Sequence, residues 1–323
     1  MTKVIRMYTA LLLLCAVFAI PCSAQPAKAY QYFRVGNAAD AHVTPQAGYA
    51  LMGGGEDLDD AFIWLCDHAN GGDLLVLRAT GTDAYNPYIQ KLCHVNSVAT
   101  LIIPDSKAAN DPFVAQTIAK ASAIFISGGD QSNYINYWMN SPVQTTLNDA
   151  IARSVPIGGT SAGLAVLGEY AYSAQGDKPN DPNLDSKTAL ADPNSPRITL
   201  VHAFLRIPLL AGTITDSHFA KRDRMGRLLV FLADLDTHQN IRGIGIDERA
   251  AVLLTPDGQA KIVGHGIGAY FLDQHSASGH FTVQKVMPSH IFNLETWTGD
   301  ATTYQLNVQN GAIHSTQPND SLY

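Results

Sequence analysis

The chain has 323 residues with 28 Asp and Glu against 21 Lys and Arg, a formal net charge of -7, and that acidic balance argues against nucleic acid as a partner. The length suffices for one large α/β domain or two small ones. No Cys/His spacing suggests a metal site, and beyond the N-terminus no apolar run reaches bilayer-spanning length, so a soluble protein is expected.

The first two dozen residues read as a secretory leader. Lys3 and Arg6 form a basic start, "ALLLLCAVFAI" is a short apolar run, and "CSA" ends in small residues, which predicts cleavage after Ala24 and a secreted or periplasmic protein free of the membrane. Removing the leader makes the chain more acidic by two charges. Cys66 and Cys93 then remain: an oxidising compartment permits them to pair, and the apolar stretches "IWLCDH" and "IQKLCHV" suit buried free thiols equally.

From about residue 48, apolar runs alternate with helical patterns. "GYALMGGG" reads as strand and turn, "LDDAFIWLCDHA" as helix, and "DLLVLRATG", "ATLIIPD", "AIFISGGDQ", "VPIGGTSAG", "AGTITDSHF" and "IRGIGIDE" as strands. The pattern predicts an α/β fold, a doubly wound and mostly parallel sheet flanked by helices, with active groups at the carboxyl ends of its strands. This domain is expected over 25–255. "AAVLLTPDGQAKIVGHGIGAYFL" reads as a hairpin turning at Pro-Asp-Gly, and 256–323 is expected to be an antiparallel β extension packed on the same domain, since no flexible linker precedes it. Residues 176–198, rich in Pro, Asp, Asn and Ser, read as a long surface loop that forms one wall of a cleft.

Five strand ends carry groups with chemistry. Gly53-Gly54-Gly55 lacks the lysine of a P-loop and reads as a strand-to-helix turn near the cleft, with Glu56 placed to contact a cationic substrate group. "AIFISGGDQ" ends in Gly128 and Gly129, whose bare backbone suits an oxyanion-binding NH, and Asp130 and Gln131 follow as pocket residues; the bland alternative is a helix entry capped by Asp130. In "PIGGTSAGLAVLG" Ser161 lies between glycines on a strand-turn-helix, the context of a nucleophile elbow, and Ala162 supplies a second NH at the helix start. The alternative is a tight turn with a capping serine.

His218 follows the strand "AGTITD" and precedes an amphipathic helix, so its imidazole can reach a serine on a neighbouring strand end. Arg222, Arg224 and Arg227 follow as carboxylate clamps, or as a solvated basic face. A shared role requires Arg222 to lie in the turn before the helix. For the acid that orients His218 the candidates are Glu248, at the end of "GIGIDE", its neighbour Asp247, and Asp177 in the 176–198 loop.

"GGDQ", "GGTSAG", "DSHF" with "RDRMGRL", and "GIGIDE" follow one another as in the cyanophycinase and peptidase E family of serine peptidases, family S51, and over residues 48–255 the chain resembles cyanophycinases most. The resemblance implies a fold similar to class I glutamine amidotransferase domains and a serine exopeptidase acting on aspartyl peptides, without cofactor, and it suggests a homodimer. It makes Ser161 the nucleophile and His218 the base, and it implies that Gln131, Asp216, Arg222, Arg224 and Arg227 line a β-aspartyl-arginine pocket. Ser217 stands where typical cyanophycinases carry glutamine, which removes an amide from the substrate-binding set. An α-aspartyl dipeptidase, an esterase and a peptide-binding protein without catalysis are the competing readings.

Overall fold

The computed structural model describes residues 28–178, 180–235, 241–274 and 279–323. The expected leader, 1–24, lies outside the described residues. In chain order the elements that build the first half are β1 (Gln31–Gly36), β2 (Tyr49–Met52), α1 (Asp59–His68), β3 (Asp73–Arg78), α2 (Tyr85–Leu92), β4 (Ser97–Ile102), α3 (Ser106–Ala109), α4 (Pro112–Lys120), β5 (Ala123–Ile126), α5 (Gln131–Trp138), α6 (Pro142–Ala152) and β6 (Ile157–Thr160). After them come α7 (Ala162–Ala165), β7 (Tyr170–Tyr172), α8 (Ser186–Ala191), β8 (Leu200–His202), β9 (Thr213–Asp216), α9 (Met225–Leu235) and β10 (Arg242–Ile246). The chain closes with β11 (Ala250–Leu254), β12 (Gln259–Gly264), β13 (Ala269–Gln274), β14 (His280–Val286), β15 (Ile291–Asn293), β16 (Thr298–Gly299), β17 (Thr302–Gln309) and β18 (Ala312–Ser315).

These strands form two large sheets with helices, where the sequence pattern predicts one. The first runs β1-β4-β3-β5-β6-β2-β11-β12-β15-β16, and its middle five strands, β4 to β2, are mutually parallel. The second runs β18-β17-β14-β13-β10-β9-β7-β8, with β9 parallel to both β10 and β7. Thus "TITD" and "RGIGI", read as further strands of a single sheet, belong to the other one. Short, wholly buried runs look alike whichever sheet receives them. The C-terminal strands also divide: β12, β15 and β16 extend the first sheet, while β13, β14, β17 and β18 extend the second.

Alternation along the strands sorts the core. Ala50, Met52, Leu74, Val76 and Phe125 pack with Phe62 and Leu65 of α1 and Ile89 of α2. Leu51, Leu75, Leu77, Ile124 and Ile126 point the other way, into a core shared with Val114, Trp138 and Leu147 and with Ile244, Ile246 and Phe271 of the second sheet. Odd and even positions of each strand therefore face two different, fully apolar layers. The far face of the second sheet is closed by α9, through Leu228, Phe231 and Leu232. Cys66 in α1 and Cys93 after α2 form a disulfide with Cα atoms 6.0 Å apart, which settles the alternative of free thiols.

The loop reading of 176–198 changes, while the Pro-Asp-Gly turn is as expected. Residues 176–198 contain a short helix, α8, whose first turn is capped by Asp185 on the Thr188 NH. The hairpin β11–β12 turns at Pro256-Asp257-Gly258, with Gly258 at φ +81°, the conformation for which glycine is suited.

Candidate active site

Five loops, each leaving the carboxyl end of a strand, meet between the two sheets: 53–55 after β2, 128–129 after β5, 161 after β6, 217–218 after β9 and 247–248 after β10. Ser161 sits at φ +54°, ψ -116°, a strained conformation for a residue with a Cβ. Its flanks show why the turn is written Gly-Thr-Ser-Ala-Gly. A Cβ on Gly163 would stand 2.0 Å from the Ile126 carbonyl oxygen, and one on Gly159 would stand 2.5 Å from the Gly163 backbone. The helix behind the elbow is only the single turn α7, so its backbone NH groups matter and its macrodipole is small.

Ser161 Oγ lies 2.7 Å from His218 Nε2, and His218 Nδ1 lies 2.7 Å from Glu248 Oε1. An ionised carboxylate only accepts, so the proton belongs on Nδ1 and the serine hydroxyl donates to Nε2. Of the three candidate acids only Glu248 meets the imidazole. Asp247 accepts from the Lys221 NH at 2.8 Å and so fixes the turn after His218; Asp177 is engaged by Arg197 at 2.6 Å and by the Tyr172 hydroxyl at 2.9 Å.

Burial lowers the His218 pKa, and the positive charges of Arg222 and Arg224 lower it further against the opposing pull of Glu248. The imidazole therefore stays neutral, and able to accept a proton, to lower pH than an ordinary histidine. Removing the Arg222 charge takes away one of the groups that disfavour imidazolium, so the pKa rises. For Arg222→Gln we expect the acid limb of the kcat/KM profile to move to higher pH, as measured on a peptide the native protein cleaves; an unmoved limb would contradict this.

The glycine triplet proves to be part of this arrangement. The Gly53 carbonyl accepts from the His218 NH at 2.7 Å, and the Gly54 carbonyl accepts from the Arg249 NH at 3.0 Å. Gly54, at φ +96°, lies under the imidazole: a Cβ there would come within 2.5 Å of the ring, and one on Gly55 within 3.0 Å of the Glu248 side chain. The glycine run is locally a turn; its role as a cradle has no local signature, because the contact joins residues 164 apart. Gly54→Ala is expected to displace the imidazole and lower kcat by about 100-fold with little change in KM, a split read directly from steady-state kinetics.

One cavity holds Ser161, and a second adjoins it at Arg222. The first, of about 420 Å³, is lined by Ser161, His218, Glu248, Gly54, Gly55, Gly128, Asp57, Arg78 and Tyr85. Gly128 is the closer of the paired glycines, since a Cβ on it would lie 3.3 Å from that of Ser161, while Gly129 lines the neighbouring cavity. The second cavity, about 660 Å³, is walled by Gln131, Arg222, Arg224, Arg227 and the loop residues 180–184. Arg222 borders both. It lies, with Arg224, in the turn before α9, and Arg227 lies on the helix. Asp130 caps α5 through the Ser132 NH, as the bland alternative had it.

Asp216 and Ser217 are not wall residues, contrary to the role the resemblance implies for them. Both are 2% exposed. Asp216 takes a bidentate ion pair from Arg227, Nε at 2.7 Å and Nη2 at 2.5 Å, and the Ser217 carbonyl accepts from Arg224 Nη1 at 2.8 Å. Asp216 closes β9 and points inward, so both residues act behind the wall by aiming the arginines. Desolvation would raise the Asp216 pKa, but Arg227 and Arg224 outweigh it and hold the carboxyl below its usual range. Burial and Arg227 pull the Arg224 guanidinium down to about 9, which leaves it charged at neutral pH. Glu56 is also displaced from its expected place: it is exposed and faces His265 at 3.6 Å, and its neighbour Asp57 lines the pocket instead. Among the described residues no His, Cys, Asp or Glu side chains group as a metal site, and no helix is long and apolar enough to cross a membrane.

A family model for peptidase family S51 matches residues 51–263, a span that contains all of these loops. The chain belongs to peptidase family S51. It is 26% identical over 209 residues to the cyanophycinase of Synechococcus elongatus, covering 62% of this chain and 59% of that protein. It is 29% identical over 172 residues to the cyanophycinase of Nostoc sp., covering 52% and 51%. The chain thus spans between half and three fifths of the length of these curated relatives. The crystal structure of a peptidase from an acI-B1 Actinobacterium superposes with a TM-score of 0.52 at 15% identity, covering 77% of this chain and 98% of that one, a likeness of fold.

Proposed function

We propose that the protein is an exported serine exopeptidase that hydrolyses aspartyl peptides, β-aspartyl-arginine peptides of the cyanophycin type foremost. The observation that carries this reading is the unbroken Ser161–His218–Glu248 hydrogen-bonded chain on a strained elbow, opening beside an arginine-walled cavity. Membership of a family whose curated relatives include cyanophycinases supports it.

In this mechanism His218 Nε2 takes the hydroxyl proton as Ser161 Oγ attacks the scissile carbonyl, and Glu248 stabilises the resulting imidazolium. The NH groups of Gly129 and Ala162 receive the oxyanion. His218 returns the proton to the leaving amine, and a water activated by the same imidazole then releases the acid product from Ser161. Arg222 and Arg224 bind the substrate carboxylate, with Gln131 at the cavity mouth and Arg227 held behind them by Asp216. With Ser217 turned toward Arg224, the cavity must recognise its ligand without the amide that typical cyanophycinases carry there. The leader, and the Cys66–Cys93 bond, support action outside the cytoplasm.

Rates on a β-aspartyl-arginine polymer, on α-aspartyl-arginine and on a simple acyl ester, compared by chromatography, test the reading. It predicts kcat/KM highest for the polymer, with β-aspartyl-arginine left intact as the product, and reduced severalfold or more in Arg224→Gln. Turnover of the ester alone, indifferent to the arginines, would make the protein an esterase; preference for the α-linked dipeptide would make it a dipeptidase.

A further inference from the structure

The proposed reaction has two sides, and the three arginines account for only one. Arg224 and Arg227 border the larger cavity alone, whereas the pocket that holds Ser161 has a wall of its own. Asp57, two residues after the glycine cradle, stands in that wall. Its Oδ1 accepts from the Tyr85 hydroxyl at 3.2 Å, and among the described residues this is its one side-chain hydrogen bond, with no Lys, Arg or His in ion-pair range. The residue that follows it, Leu58, is the N-cap of α1, and the Asp57 carboxylate bonds Tyr85 rather than an NH of that helix, so capping does not explain it.

Tyr85 gives the carboxylate a fixed position. Its ring packs against Phe62 and Phe125 at centroid distances of 5.7 and 5.5 Å, at the start of α2. Two cations, Arg78 and Arg222, line the same pocket, neither of them ion-paired to Asp57; Arg78 Nε and Nη1 donate to the carbonyls of Thr80 and Thr82 at 2.6 and 2.7 Å. Glu248, the other carboxylate at this pocket, is bound to His218. Partial burial raises the Asp57 pKa, the sign of a carboxylate that lacks a compensating cation.

We propose that Asp57, held by Tyr85, binds a cationic group on the leaving side of the substrate, a guanidinium or an ammonium, in the pocket beside Ser161. This assignment rests on the peptidase reading and deepens it: the substrate places an anion among the arginines and a cation on Asp57, with the scissile bond over Ser161 between them. Asp57 is thereby a specificity residue with no part in proton transfer.

The test uses Asp57→Asn, which keeps an oxygen for Tyr85 and removes the charge. Two substrates, aspartyl-argininamide and aspartyl-citrullinamide, differ in the leaving group by that one cation. The expected result is a fall in kcat/KM of roughly 10- to 100-fold for the arginine compound and less than about threefold for the citrulline compound. Equal losses on both, or none on either, would overturn the assignment. A second measurement does not need catalysis: calorimetry of Nα-acetyl-argininamide and Nα-acetyl-citrullinamide with the Ser161→Ala protein, with and without Asp57→Asn. Preference for the cation that vanishes with Asp57 supports the subsite even if no peptide is cleaved, an outcome that would sink the peptidase reading alone. Equal affinity for the two compounds counts against the subsite whatever the protein hydrolyses.

Discussion

Ser161→Ala is expected to leave the protein folded and to lower peptide hydrolysis by about 10,000-fold or more. The substitution removes one oxygen and keeps the Cβ, so the elbow at φ +54° carries the same strain and the bond from the residue 161 NH to the Met52 carbonyl, at 3.2 Å, is untouched. What disappears is the atom 2.7 Å from His218 Nε2. His218 and Glu248 remain paired but have nothing to activate, and only oxyanion binding and substrate positioning persist. Circular dichroism and thermal melting beside the rate assay separate loss of chemistry from loss of fold. A variant that keeps the native rate would remove Ser161 from the mechanism.

The second large effect concerns stability. In Arg227→Leu the Asp216 carboxylate, 2% exposed, loses the bidentate partner that compensates its burial. Breaking a buried pair from one side costs about 3–5 kcal/mol, so urea denaturation should show a loss of that size and the melting temperature should fall by roughly 6–15 °C. Arg224, 3.6 Å away, compensates only in part. Adding Asp216→Leu should recover stability, because the uncompensated charge is then gone. The pH dependence follows from the sign of the shift. Asp216 is held below its usual range in the folded state, so the stabilisation is complete above the unfolded carboxylate range and is lost as acid protonates the native carboxyl. A melting temperature unchanged in Arg227→Leu would show that the pair contributes little.

The parts of the site that were legible in the sequence are those written locally. A glycine-flanked serine after an apolar run, a histidine closing another, and an acid closing a third each sit in the first loop after a strand, and in a parallel arrangement such loops converge. Which carboxylate meets His218 was less legible, since Asp247 and Glu248 differ by one residue; the turn after β10 sends their side chains to different partners, and Glu248 faces the imidazole. The same one-residue ambiguity puts Asp57, in place of Glu56, on the pocket, while Asp216 and Ser217 are both buried behind the arginines that they bind.

Long-range relations were not legible at all. The division into two sheets is decided by which buried strands pair, and wholly apolar runs carry no mark of their partners. The fit of Gly54 beneath His218 is likewise visible only once both loops are placed. The Cys66–Cys93 bond depended on whether α1 and α2 lie side by side on one face of the first sheet, which they do.

The most direct test of the whole account is mass spectrometry of the products released from a β-aspartyl-arginine polymer by the native protein and by Ser161→Ala. The account predicts β-aspartyl-arginine from the native protein and essentially none from the variant. Equal release by both, or no cleavage of any aspartyl peptide by the folded native protein, would contradict it.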